Sequence, residues 1–281
     1  MLWQRVVTAV LLLAVLLPAV FYPAPWIFAC VAVVLIAAGG WEWARLNQIG
    51  NAGAWGTGAA CALFCLLSLA GWTSLLQGAG LWPLVTAIWV LGGGWMLLRG
   101  VGRWAQVPQM LRWVLGVACL CAAWLAVTQA RVIGINFLFS VLVLVWAADI
   151  GAYFAGRGLG GKFFARKLAP SISPGKTWEG VLGGLVAVVA VGCLWIQADR
   201  HWVLDSVSLY SRLWQQGVWF ALLALLWLTA WSVVGDLLES LIKRSAGVKD
   251  SSGLLPGHGG VLDRLDALLP VLPMAMMLQS L

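Results

Sequence analysis

Hydrophobic runs of about twenty residues, broken by short polar or basic stretches, recur along the whole chain. They lie near 5–22, 25–46, 53–72, 81–99, 107–128, 133–156, 177–198, 216–242 and 261–280. Roughly 20 apolar residues cross the hydrocarbon core of a bilayer as a helix, and in lipid the backbone has to satisfy its own hydrogen bonds. The pattern therefore predicts an all-α polytopic membrane protein of about nine transmembrane helices. No alternation of period two interrupts it. The second and eighth runs are the longest, which leaves room for tilt or for extension into water. Pro270 and Pro273 are expected to kink the ninth. Met1 to Arg5 and the run that follows have the layout of a secretory signal. The run continues through Tyr22 without a small-x-small cleavage site, so a retained helix is expected.

Composition excludes a water-soluble globule: of 281 residues 62% are hydrophobic and only 10% charged, against about 25% charged in a soluble domain. Charge placement then orients the helices. Loops on the N-terminal side carry Arg5, Arg45, Arg99, Arg103, Arg157, Lys162, Arg166, Lys167, Lys176, Lys243, Arg244 and Lys249, with Arg112 and Arg264 near those ends of their runs. The opposite loops carry Arg131, Arg200 and Arg212. The N-terminus and both charged loops, 157–176 and 243–260, are therefore expected in the cytoplasm. The net charge of +7 follows from those loops and also suits anionic lipid heads or phosphates. All six cysteines lie in apolar runs with no CxxC pair, so neither a disulfide nor a zinc site is expected.

Seven of the ten acidic residues fall in two blocks, 149–179 and 236–266. Carboxylates in membrane helices are costly and mark a protein interior or a wet cavity. Asp149, after VLVLVWAA, and Asp236, after LLALLWLTAWSVVG, are the clearest cases. Asp236, Glu239 and Ser240 share one helix face, and Lys243 continues it within reach of Glu239. Asp263 and Asp266, three apart, share a face at the start of the last run. Between these groups Gly247, Gly253, Gly257, Gly259 and Gly260 allow backbone N–H groups to approach an anion. Two carboxylate clusters flanked by Lys243, Arg244, Lys249 and Arg264 suit a phosphate held through Mg²⁺, which takes one or two carboxylates plus phosphate oxygens and water. The plainer alternative is a set of ion pairs closing a loop over helix ends. His258, in GHGG, fits an exposed turn as well as a phosphate or proton contact.

The first block reads ADIGAYFAGRGLGGKFFARKLAPSISPGKTWEG over 148–180. Gly151, Ala152 and Gly156 form a small-residue surface around Asp149, suited to close helix packing. Pro174 forces a turn, Thr177 or Ser173 is expected to cap the next helix, and Glu179 fits its first turn. A helix N-terminus beside Lys176 is also an anion site. GxxxxGK[ST] is absent, so this is no Walker A loop.

The run Ser240-Leu-Ile-Lys243-Arg244, then Lys249-Asp250, Pro256-Gly-His258-Gly-Gly260 and Asp263-Arg264-Leu-Asp266 resembles the phosphatidate cytidylyltransferase family, the CDP-diacylglycerol synthases. Ser171-Ile-Ser173-Pro174-Gly-Lys176-Thr177-Trp-Glu179-Gly180 resembles that family's other signature region. The likeness covers about 148–267. It implies N-terminal membrane helices over 1–130 and a catalytic region over 131–281. The implied reaction moves CMP from CTP to phosphatidate, giving CDP-diacylglycerol and pyrophosphate, at the cytoplasmic face of the cell inner membrane in phospholipid biosynthesis. It needs charge neutralisation and alignment more than a covalent nucleophile.

The resemblance implies Mg²⁺ on Asp236 and Asp263, with a second cation as an option and Asp149, Glu239 and Asp266 as neighbouring or alternative ligands. Lys243 and Asp266 join the catalytic set. Lys176, Arg244, Lys249, His258 and Arg264 are expected to hold phosphates, and Ser171, Ser173 and Thr177 to line the nucleotide or lipid-phosphate side. No general base is required, since phosphatidate is already an anion. The implied partners are CTP, phosphatidate and membrane lipids, not nucleic acid; a homodimer is compatible with the sequence. Small residues Gly151, Gly156, Gly180, Gly183 and Gly184 are expected to permit close helix approach or a wedge-shaped lipid entrance.

Two rival readings share these features. A CTP-dependent polyprenol or phytol kinase would transfer the γ-phosphoryl group and release CDP. An ion-coupled transporter also buries acids, but here they cluster beside the loops rather than along a transmembrane route.

Overall fold

The computed structural model describes residues 2–71 and 80–281. Among these residues there is no β-strand. Trp72, the end of the third predicted run, lies outside them. Eight helical spans are long and apolar enough to cross a membrane. They are α1 (Leu2–Phe21), α2 (Pro25–Leu46), α3 (Asn51–Leu69), the composite span Leu81–Arg99, α7 (Gln109–Ile133), α8 (Ile135–Leu159), α9 (Trp178–His201) and α11 (Val218–Ser245). The composite span joins α4 (Leu81–Ile88) to α5 (Gly94–Arg99) through one π turn, Trp89–Gly93. Short helices α6 (Val101–Trp104) and α10 (Leu209–Gln215) lie between spans.

The ninth predicted span is not a continuous helix. It forms α12 (Leu262–Leu265) and α13 (Leu268–Gln279), parted at Asp266–Ala267. Proline has no N–H and its ring crowds the carbonyl four residues back. Pro270 thus denies a partner to the Asp266 carbonyl, and Pro273 to that of Leu269. At 12 residues α13 is about 18 Å long, shorter than the ~30 Å hydrocarbon core. It is buried among α4, α7 and α11 instead. Gly235 of α11 accepts the broken turn: a Cβ there would lie 2.5 Å from the Asp266 carbonyl oxygen.

The most extensive helix contact joins α8 to α9. A Cβ on Gly151 would sit 2.6 Å from the Gly183 carbonyl, and one on Gly184 2.7 Å from that of Ala148. The small-residue stripe therefore brings backbone onto backbone, and this contact is the close approach of the two expected alternatives.

Polar side chains tie the two ends of the bundle. At one end Arg131 donates to the Val20 and Tyr22 carbonyls, and Asp205 accepts the N–H groups of Ile135 and Asn136 at the start of α8. At the other, Thr8 of α1 donates to the Pro256 carbonyl, which puts the chain's start beside the second charged loop. All six cysteines are free thiols.

Candidate active site

The loop before α9 is fixed by its own sequence. Thr177 Oγ1 accepts the Gly180 N–H at 3.1 Å, a helix cap. Glu179, buried in the first turn, accepts the N–H groups of Gly161, Phe163 and Phe164, each at 3.0 Å. Buried Ile172 pins the loop's middle. Lys176 is thereby presented to α11, where its Nζ pairs with Asp236 Oδ2 at 2.5 Å. Asp149, Tyr153, Arg157, Lys176, Thr177 and Asp236 line one cavity of about 580 Å³. Asp149, Asp236 and Asp266 lie close enough to feel one another's charge. Ser240 Oγ donates to Asp236 Oδ1 at 3.3 Å.

One turn further along α11, Lys243 is buried between Glu239, four residues back, and Asp263 Oδ1. Asp263 Oδ2 accepts the Ser251 N–H and Oγ–H, both at 2.9 Å, and the Gly260 N–H at 2.7 Å. Burial pushes the Asp263 carboxyl up, but hydrogen bonds from Lys243, Gly260 and Ser251 outweigh it and hold it at about 2. Asp263 and Asp266 lie in one helical turn, as their spacing predicts, with the Asp266 N–H donating to the Leu262 carbonyl; Asp263 reaches Lys243, and the Asp266 carbonyl lies against Gly235.

The remaining predicted residues spread around this centre. Lys249, His258 and Arg264 line a second cavity of about 400 Å³ together with Arg5 and Asp250. Arg264 donates to the His258 carbonyl at 2.8 Å, and its charge reaches Asp149. Arg244 is exposed and donates to the Val248 carbonyl. Ser171 is exposed, and Ser173 serves the turn through its backbone; neither lines the Asp149–Asp236 cavity.

Sequence reasoning missed Glu42. This α2 carboxylate is fully buried and accepts four hydrogen bonds from the glycine-rich loop. Oε1 takes Ser252 Oγ–H and the Val261 N–H, and Oε2 takes Ser251 Oγ–H and the Leu262 N–H. Two of these donors are amides at the start of α12, so Glu42 caps that helix from another part of the chain. The signal was present: a carboxylate in an apolar run needs a polar interior partner.

The donor set fits a divalent cation of the magnesium kind. Asp149 and Asp236 face one cavity with Lys176 as the cation in contact with Asp236. Among the described residues no group of three or more His, Cys, Asp or Glu forms a metal cage. Mg²⁺ needs no such cage, since it keeps water and phosphate oxygens in its shell.

The model of the Cytidylyltransferase family matches residues 3–281. A protein of Pseudomonas aeruginosa named phosphatidate cytidylyltransferase is 39% identical, over 97% of this chain and 95% of its own. One of the same name from Haemophilus influenzae is 34% identical over 97% and 96%. Another, from Bacillus subtilis, is 39% identical over 53% of this chain and 49% of its own. The match runs through the helices that carry Glu42 and Asp149 as well as through both charged loops: the chain belongs to the cytidylyltransferase family.

Proposed function

We propose that the chain is a phosphatidate cytidylyltransferase, forming CDP-diacylglycerol and pyrophosphate from CTP and phosphatidate. The observation that carries this reading is the Lys176–Asp236 pair, which joins the two charged blocks over one cavity also lined by Asp149. A phosphatidate oxygen attacks the α-phosphorus of CTP, the bond to the β-phosphate oxygen breaks, and pyrophosphate leaves in line. Lys176 and Arg157 offer cationic hydrogen bonds at the cavity wall, a geometry suited to phosphate oxygens. Asp236 would hold Mg²⁺ with Asp149 beside it in the cavity and Glu239 and Asp266 nearby; Asp263, which does not line that cavity, would reach the ion only through Oδ1, whose protein partner is Lys243. The bound cation would supply charge neutralisation at the phosphates. Lys243 holds Glu239 and Asp263 at a fixed separation, so its first task is positioning.

The excess of Lys and Arg at the end bearing both loops supports a cytoplasmic site in an inner membrane. The test is a purified-protein assay with CTP, Mg²⁺ and phosphatidate that follows both the lipid product and the released nucleotide fragment. CDP-diacylglycerol with equimolar pyrophosphate is expected. Release of CDP with a phosphorylated lipid would overturn the reading in favour of a kinase.

A further inference from the structure

One lipid-facing feature has no part in the site above. Between α1 and α2 runs an apolar groove of about 640 Å³, walled by Trp3, Leu11, Val15, Val31 and Val34 among others. Its floor at one end is Leu255 and Pro256 of the glycine-rich loop. The same two residues line the 400 Å³ cavity that holds Arg5, Lys249, His258 and Arg264. Groove and cavity thus adjoin at Leu255 and Pro256, the one apolar along its length and the other basic. Along α1 the groove extends from Trp3 to Leu16, about 20 Å at 1.5 Å per residue. That exceeds one leaflet's share of the ~30 Å hydrocarbon core.

The junction is built rather than incidental. Thr8 Oγ1 donates to the Pro256 carbonyl at 2.9 Å. Gly257 has φ +78, and a Cβ there would meet Arg5 Cγ at 2.9 Å. Glycine thus serves both the backbone angle and the passage of the Arg5 stem. Arg264 is held to the loop through the His258 carbonyl while its charge acts on Asp149 in the catalytic cavity. Against these cations stands one carboxylate, Asp250. The balance favours an anion, and the apolar limb favours one that carries a chain.

We infer that Arg5, Lys249 and Arg264 seat the phosphate of phosphatidate, and that one of its acyl chains lies in the α1/α2 groove. This rests on the transferase reading and adds to it an entry seat for the lipid substrate, from which its phosphate passes to the Lys176–Asp236 cavity to meet the nucleotide. Arg5 and the first helix, far from both signature blocks in sequence, become part of lipid recognition. The nucleotide is left to the cavity under Lys176.

The test separates headgroup from chain. Arg5→Ala removes one charged hydrogen-bond donor, worth about tenfold in apparent affinity. Leu11→Trp fills the groove at a position 62% exposed, so folding should tolerate it. In mixed micelles at saturating CTP, Arg5→Ala is expected to raise KM about tenfold for both dihexanoyl and dioleoyl phosphatidate. Leu11→Trp is expected to raise KM for the dioleoyl substrate and to leave the dihexanoyl one within twofold. KM for CTP should stay within twofold in both variants.

Equal effects of Leu11→Trp on both chain lengths, or no effect on either, would overturn the groove assignment. A rise in KM for CTP, or unchanged phosphatidate KM in Arg5→Ala, would overturn the headgroup assignment. Native mass spectrometry of the detergent-solubilised protein with added phosphatidate, phosphatidylglycerol or glycerol 3-phosphate reads binding without turnover. Retention of phosphatidate by the wild type, lost in Arg5→Ala, supports the seat even if no CDP-diacylglycerol forms. Equal retention of all three ligands refutes it.

Discussion

Replacing Glu42 by Gln tests whether a membrane-buried carboxylate holds the glycine-rich loop in place. The side chain is fully buried, and each of its oxygens accepts one hydroxyl and one backbone N–H. Glutamine keeps one oxygen and places an NH₂ group where the other was. Whichever way the amide turns, either the Val261 or the Leu262 N–H faces another donor. The serine hydroxyls can rotate; the amides cannot. One buried donor left unpaired costs about 1–3 kcal/mol, and three bonds that change from charged to neutral lose about 1 kcal/mol each. The loop should be destabilised by roughly 4–6 kcal/mol. At 1.36 kcal/mol per decade, hydrogen-exchange protection at Val261 and Leu262 should fall about 10³–10⁴-fold, or to the limit set by another opening. Exchange measured on nanodisc-embedded protein, with peptides covering 251–262, reads this directly, and turnover should fall with it. Protection within threefold of wild type together with normal turnover would refute the capping argument.

Asp236→Asn and Asp263→Asn should each lower turnover at least 10²-fold without preventing membrane insertion; near-normal rates in both would remove the metal assignment. Lys243→Met strands two buried carboxylates and should cost about 3–5 kcal/mol, read as an earlier unfolding transition in detergent; an unchanged transition would show that the ion pairs contribute little. Gly183→Leu adds atoms where a Cβ alone would sit 2.1 Å from Ala155 Cβ, so a loss of about 1–3 kcal/mol is expected, and an unaltered melting temperature would contradict the close packing. Gly253→Cys should react with an impermeant maleimide from the cytoplasmic side; labelling only from outside would invert the topology.

The spans were legible because each is a local statement, some twenty apolar residues in a row. Local side-chain geometry was legible for the same reason. Thr177 caps α9, Lys243 pairs with Glu239 four residues away, and Ser240 meets Asp236. What the sequence hid depends on distant parts of the chain or on a broken period. Lys176 and Asp236 are 60 positions apart, and nothing in either run says that they touch. Glu42 stands outside both acidic blocks, and its partners are more than 200 residues away. The ninth run reads as one span, but Pro270 and Pro273 part it into α12 and α13 just after Asp266.

The glycine stripe between α8 and α9 has a consequence for how bulky substrates get in. Where carbonyls lie against glycines no rotamer can swing aside, so the two helices travel as a single stiff plank carrying Asp149 and Lys176 together. At Gly151, Gly183 and Gly184 this leaves no notch for a lipid, whereas Gly156 and Gly180 line the cavity nearer the loops. On the other flank of α9 the fit is side chain to backbone, as where Leu225 of α11 rests on Gly192, and the Lys176–Asp236 pair is the ionic bolt across it. If the proposed cavity admits a triphosphate, widening is expected on that softer seam, where one bolt can be drawn while both loop anchors stay fastened.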